Sequence, residues 1–342
     1  MSMGFAQLLE KVVSFIKDSQ TSRENVGRAI RTLTGKQLQP IEAGEQQLAY
    51  TLRKPILHGK FAGVDSGFIS QSFYALDLMM IRSAGVCFEY EKGKVARSTY
   101  FPNSFGPPEP IVNTDGLEKD EFHKFVSLTR LQAETQNAAA LIQELKPEVL
   151  FIDGSLIPMP ADKPAADSKL KKEYSKTIQS FLELYASAEK NKCLLIGTIE
   201  DSRSERLKEL LKEKILPKHE LHLEGMDFLQ DAAILDKTLN AGERSFAFAY
   251  ANDVHKHSIL MDYPFPLASQ LHACYVKPSQ WDYPIRTEFF SDAENLTANA
   301  TRAAEYVYAQ SSLYKEYAFP AILIEADLRA GLKPEEIEMV SD

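Results

Sequence analysis

The first apolar residues recur at helical spacing. Phe5, Leu8, Leu9, Val12, Val13, Phe15 and Ile16 make a broad apolar face on residues 5–17. A second helical pattern over residues 22–35 has Ser22 as its N-cap, so the first sixty residues predict two helices followed by a polar, Gln-rich connection. The period then shortens. Residues 61–64 read as a strand that ends at Asp65, Ser66 and Gly67, and residues 72–101 as two further strands joined by a hairpin turn near Glu91–Gly93. The Pro-rich run 103–116 reads as a connecting loop. Next come a long helix over 117–145, a strand at 149–153 that runs into Asp153, Gly154 and Ser155, a helix at 168–190, a strand at 193–200 and a helix from Ser202.

Three strands able to pair antiparallel, followed by alternating helix and strand, predict an α/β fold: a mixed sheet flanked by helices, in the order of a ribonuclease H-like fold. No internal repeat or low-complexity tract divides the chain. It reads as one domain over 1–342, with residues 1–58 an N-terminal helical extension and 59–342 the core with C-terminal elaborations.

Composition narrows the class. At 342 residues and 44% hydrophobic the chain can bury a large core. Three widely spaced cysteines (Cys87, Cys193, Cys274) argue against a disulfide framework and for a cytoplasmic setting. The first helix interleaves Glu10 and Lys11 with apolar residues, unlike a signal peptide, and no run is long enough to span a bilayer, so no membrane contact is expected. The net charge of −9 excludes binding of nucleic acid over a whole basic face. Such binding would need a local cluster or metal ions.

In the expected fold the first and fourth strands are neighbours, so Asp65 and Asp153 project from adjacent strand ends. Two carboxylates so placed repel unless a divalent cation lies between them, and oxygen ligands suit Mg²⁺ or Mn²⁺. The alternative is that each merely caps a turn. A third acid, Glu134, falls on the apolar stripe of the long helix with Leu131, Ala138, Leu141, Ile142 and Leu145. Buried there it needs compensation, from a metal or from Arg130 one turn earlier.

Other patterns carry less. His219 with His222, and His255 with His257, have no cysteines nearby and no finger-like spacing, so surface histidines are the better reading than zinc. Ser155 lacks the G-x-S-x-G elbow. Neither a P-loop nor a Rossmann fingerprint occurs, so the chain is not expected to hydrolyse ATP, and any motor activity must come from a partner. Aromatics from Trp281 to Tyr317 either stack on the bases of a single strand or belong to the core and a dimer interface.

The ordered motifs GVDSG (63–67), RLQAE (130–134), FIDGSL (151–156), GTIEDSRS (197–204), AGERSFAF (241–248), YPIRTEFF (283–290) and FPAILIEADLRAGL (319–332) resemble those of the NurA nuclease family. The resemblance covers nearly the whole chain from about residue 60. It implies a Mn²⁺- or Mg²⁺-dependent DNA nuclease with single-strand endonuclease and 5′-to-3′ exonuclease activity. It also implies a homodimer that docks on the hexameric HerA ATPase and resects DNA ends for double-strand break repair by homologous recombination in archaea. Asp65, Glu134 and Asp153 match the family's acidic metal-binding positions. Asp327 stands where many relatives have histidine, which makes it the expected fourth ligand with Glu325 as competitor, and Glu200 stands where lysine is common. A pair of ions roughly 3.5–4 Å apart would activate a water and stabilise the leaving oxygen. Arg286, Arg203 and Lys277 are the candidate phosphate contacts; the alternative is ordinary ion pairing, such as Arg286 with Glu288. A second functional reading is a ribonuclease H-like scaffold that has lost catalysis and serves as a DNA-binding or HerA-docking module.

Overall fold

In the computed structural model, which describes residues 5–38, 45–74 and 76–336, eleven strands form one mixed sheet. The strands are β1 (Ala49–Thr51), β2 (Gly59–Ser72), β3 (Asp77–Glu91), β4 (Lys94–Phe101), β5 (Glu109–Asn113), β6 (Val149–Asp153), β7 (Leu194–Ile199), β8 (Glu243–Ser245), β9 (Phe248–Ala249), β10 (Leu271–Lys277) and β11 (Ile285–Phe290). Their order is β1-β8-β10-β11-β7-β6-β2-β3-β4, with β5 paired to β3 and β9 to β10. The centre, β2-β6-β7, is parallel, and antiparallel strands extend it on both sides. This is the expected ribonuclease H-like sheet.

The helices are α1 (Phe5–Arg31), α2 (Lys119–Leu145), α3 (Lys171–Asn191), α4 (Arg206–Leu210), α5 (Asp231–Thr238), α6 (Phe265–Ala268), α7 (Leu296–Ser311) and α8 (Ala321–Ala330). Alternation along the strands sends side chains to two layers. Ala62, Val64, Leu150 and Ile152 pack under α2 and α3 through Leu128, Leu141, Phe181 and Leu184. Phe61, Val149, Phe151 and Ile196 pack under α7 and α8 through Ala303, Val307, Ile322 and Leu323. A third cluster joins Val26 and Ile30 of α1 to Ile234 and Leu235 of α5 and to Phe246, Phe248 and Tyr275. Among the described residues no helix is long and apolar enough to cross a membrane.

Three expectations change. The two N-terminal helices are one: Ser22 caps nothing and instead lies against Gly225, because the polar run around it faces solvent or is half-buried and gives the helix no reason to stop. The strand expected to end before Ser66 continues to Ser72, paired with β3 along its whole length, so Asp65 is a mid-strand residue opposite Ala84. The Pro-rich loop contains β5, added at the edge of β3. Residues 39–44 of the Gln-rich connection and the Phe5 side chain lie outside the described residues.

Candidate metal and nucleic-acid site

β2 and β6 run parallel in a register that pairs Val64 with Ile152, so Asp65 and Asp153 sit one step further along, level with each other on the α8 face. Two glycines bring α8 down onto that face. A Cβ at Gly63 would lie 3.1 Å from the Ile322 carbonyl oxygen, and one at Gly67 only 2.4 Å from that of Ala330. Asp65 lies between them, and α8 sets Asp327 against it; the Asp327 charge helps hold the Asp65 carboxyl above its ordinary range, after burial as the main cause. Glu325 is turned elsewhere, accepting from Tyr100 Oη at 3.0 Å and Arg329 Nη2 at 2.8 Å.

Glu134 comes from the opposite layer and is 1% exposed. Ser66, the next residue after Asp65 and so on the α2 face, donates its hydroxyl to Glu134 Oε2, and Arg130 Nη1 donates to the same oxygen at 2.9 Å. The ion pair and the acid cluster, read as alternatives from sequence, therefore coexist. Burial pushes Glu134 up to about 7, opposed by Arg130 and reinforced by the charges of Asp65 and Asp153. Asp153 also rises to about 7, through burial first and then Asp65, with Asp327 and Glu200 adding to it against Arg130. The acids thus lie within each other's field on either side of β2. Among the described residues, no three His, Cys, Asp or Glu side chains are arranged to hold a metal ion. The chemistry of the donors still fits one: two buried carboxylates, Asp65 and Glu134, with half-buried Asp153 and exposed Asp327 and one neighbouring arginine make an excess of acid that a hard divalent cation compensates.

The three candidate cations part company. Lys277 is 2% exposed, with Nζ held by Asp236 Oδ1 and the Asp282 carbonyl, and this burial leaves it no open face for a phosphate. Arg286 is also buried, donating Nε to Glu288 Oε1 at 2.9 Å and Nη1 to Ser204 Oγ at 2.8 Å. The expected pairing of Arg286 with Glu288 is therefore present. Only Arg203 is exposed, and it rims a cavity of about 700 Å³ whose wall includes Gly154, Ser155, Tyr250, His257 and Arg286.

Two residues, Ser66 and Tyr317, make contacts at the site that the sequence did not announce. Ser66 gave no signal beyond its place next to Asp65. Tyr317 donates to Glu200 Oε2 at 3.4 Å, and burial with the charges of Glu200, Asp153 and Asp327 pushes its phenol up to about 12, which places its hydroxyl at the mouth of the cluster. One histidine pair does other work: His255 stacks on Phe265, and His257 Nδ1 accepts from the Ile259 and Leu260 backbone N–H groups at 3.2 and 3.1 Å. Of the aromatics, Phe289 is core, while Trp281, Tyr283, Tyr314 and Tyr317 are exposed.

Residues 59–330 match the family model described as the NurA domain. The chain belongs to the NurA family. Among solved structures it is similar to the NurA nuclease from Sulfolobus solfataricus, at 12% identity and a TM-score of 0.56, over 97% of this chain and 94% of that one. It is also similar to NurA with manganese (9% identity, TM-score 0.57, 98% and 96% covered). A third similar structure is NurA bound to dAMP and manganese (8% identity, TM-score 0.54, 97% and 95% covered). At such identities the likeness establishes the fold. No curated protein sequence matches the chain.

Proposed function

We propose that this chain is a divalent-metal-dependent DNA nuclease in which Asp65, Glu134, Asp153 and Asp327 hold the metal. One observation carries the reading: Glu134 and Asp153, buried from opposite layers, are both raised to about 7 within one cluster of acids. Gathering like charges in a buried cluster costs stability unless something compensates them, and a bound cation does so. A pair of Mn²⁺ or Mg²⁺ ions held by these carboxylates would supply activation of a water and neutralisation of charge at phosphorus. The protein's part is to hold the carboxylates, to keep Glu134 oriented through Ser66 and Arg130, and to contact phosphate through exposed Arg203. Arg286 forms part of the cavity wall.

The family membership supports the finer reading: single-strand endonuclease and 5′-to-3′ exonuclease activity in DNA end resection, alongside a HerA-type hexameric ATPase. Leu8, Leu9, Val12, Val13 and Ile16 of α1 each remain nearly half exposed, a surface suited to a homodimer contact or to that partner. The Arg130–Glu134 pair favours a second reading, a catalytically silent DNA-binding or docking module in which the arginine stands in for a cation. Labelled single-stranded DNA separates the two. With Mn²⁺ the purified chain should degrade it and stop on addition of EDTA, and Asp65→Ala or Asp153→Ala should lower the rate about a thousandfold or more, several kcal/mol of transition-state stabilisation. Cleavage that persists in EDTA, or in those variants, overturns the metal reading. No cleavage under any metal favours the silent module.

A further inference from the structure

Beside the acid cluster, between α1 and the loop after β7, lies a groove of about 550 Å³. One wall is α1, where Phe15, Ser19 and Arg23 recur every four residues and so share a face. Phe228 and Tyr283 stand among the other lining residues, and Arg203 lies where the groove meets the loop. Large aromatic surfaces are left in water: Phe15 is 75% exposed, Phe228 92% and Tyr283 48%. Arg23 Nη1 donates to Tyr283 Oη at 3.1 Å, which ties α1 to the β10–β11 loop and orients ring and guanidinium together. The groove reaches the acids through Glu200, which lines it and lies in the field of Asp153.

We propose that this groove is a track for single-stranded DNA, in which bases stack on Phe15, Phe228 and Tyr283 while Arg23 and Arg203 meet the phosphates on the way to the acids. The proposal rests on the nuclease reading above. Rings alternating with cations are the pattern that holds a single strand, because every base offers a π-face. A duplex keeps those faces stacked inside and gives the rings nothing to hold. Glu200 and Asp201 also line the groove and offset its two arginines, so attraction to phosphate cannot by itself retain a strand against a chain of net charge −9. Stacking must supply the difference, and binding should therefore respond only weakly to salt. Two phosphate contacts give a slope of log K against log salt of about −1.4.

The test is anisotropy of a fluorescein-labelled oligothymidylate titrated with the full chain in EDTA, which prevents cleavage. Tyr283→Ala and Phe228→Ala should each weaken binding about five- to tenfold. Arg23→Ala should weaken it less and flatten the salt slope by about 0.7. Trp281 is the chain's one tryptophan, 68% exposed and two residues from Tyr283, so its fluorescence should change on binding. Affinities of both aromatic variants within twofold of wild type overturn the track. So does a change of mass by light scattering in those variants without a change in DNA affinity, which makes the patch a contact between copies. A wild-type chain that binds through the groove yet cleaves nothing with Mn²⁺ upholds the track and overturns the nuclease reading. Cleavage with unaltered KM in the variants does the reverse.

Discussion

Two Arg–Glu pairs, Arg286 with Glu288 and Arg130 with Glu134, share one chemistry and differ in what surrounds it. Glu288 is closed: Oε1 takes Arg286 Nε at 2.9 Å, and Oε2 takes Ser155 Oγ at 2.7 Å and the Leu156 N–H at 3.0 Å. Its arginine is enclosed as well, set over the Tyr250 ring at 5.0 Å. Glu134 has its bonds gathered on Oε2, its arginine partly faces solvent, and Asp65 and Asp153 add charge of the same sign. A carboxylate with both oxygens satisfied builds structure. One left among other acids carries charge that the fold itself does not fully neutralise.

Substitution should make the difference plainest. Glu288→Ala strands a buried guanidinium and is expected to cost about 3–5 kcal/mol in urea unfolding. Glu134→Gln keeps the shape, removes a charge from an acidic cluster and leaves a partly solvated arginine, so stability in EDTA should hold or rise while Mn²⁺ no longer raises Tm. Equal losses in the two variants would erase the contrast.

Acidity offers a finer probe. Glu134 and Asp153 have folded values of about 7, above the ordinary carboxylate range. Between roughly pH 4 and 7 the folded chain therefore holds more protons than the unfolded one, and stability falls as pH rises through that window, with the full penalty present above it. In EDTA, unfolding should become easier as pH rises from about 4 to 7, by an amount on the order of a few kcal/mol, and change little above that. Mn²⁺ should remove most of that slope. A flat profile in EDTA means that the cluster is not strained by its own charge.

The smallest effect is expected at Gly67. Its Ala variant sets a Cβ against the Ala330 carbonyl and must shift α8, an overpacking cost of about 1–3 kcal/mol. Cleavage should drop by about tenfold as Asp327 moves from Asp65, a change that a Mn²⁺ titration would register as weaker affinity. Unchanged metal affinity would take Asp327 out of the site.

Much of this was legible in the chain. The strand at 149–153 was read to the residue, because an apolar run bounded by Pro147 and Gly154 leaves no other choice. Glu134 was found by its place on a helix stripe; the pairing of Arg286 with Glu288 was offered only as ordinary ion pairing, and what the sequence did not show is that the pair is buried on β11. Ser66–Gly67 misled, since those residue types usually break a strand, whereas here Gly67 makes room for α8. The burial of Lys277 had no local signal, for its partner Asp236 is supplied by α5. Nor did the polar run near Ser22 reveal one long helix, because polarity on an exposed turn looks the same whether the helix stops or continues.

Asp65 and Asp153 stand on the backbones of adjacent hydrogen-bonded strands, and this gives the protein a built-in ruler. Neighbouring strands are held about 4.8 Å apart by peptide groups alone, whatever side chains they carry. The spacing of the first two carboxylates is thus inherited with the sheet and needs no particular sequence around it. A lineage can exchange nearly every residue of its core, as this chain and its similar structures have at 8–12% identity, and still keep the strand spacing that the shared fold imposes.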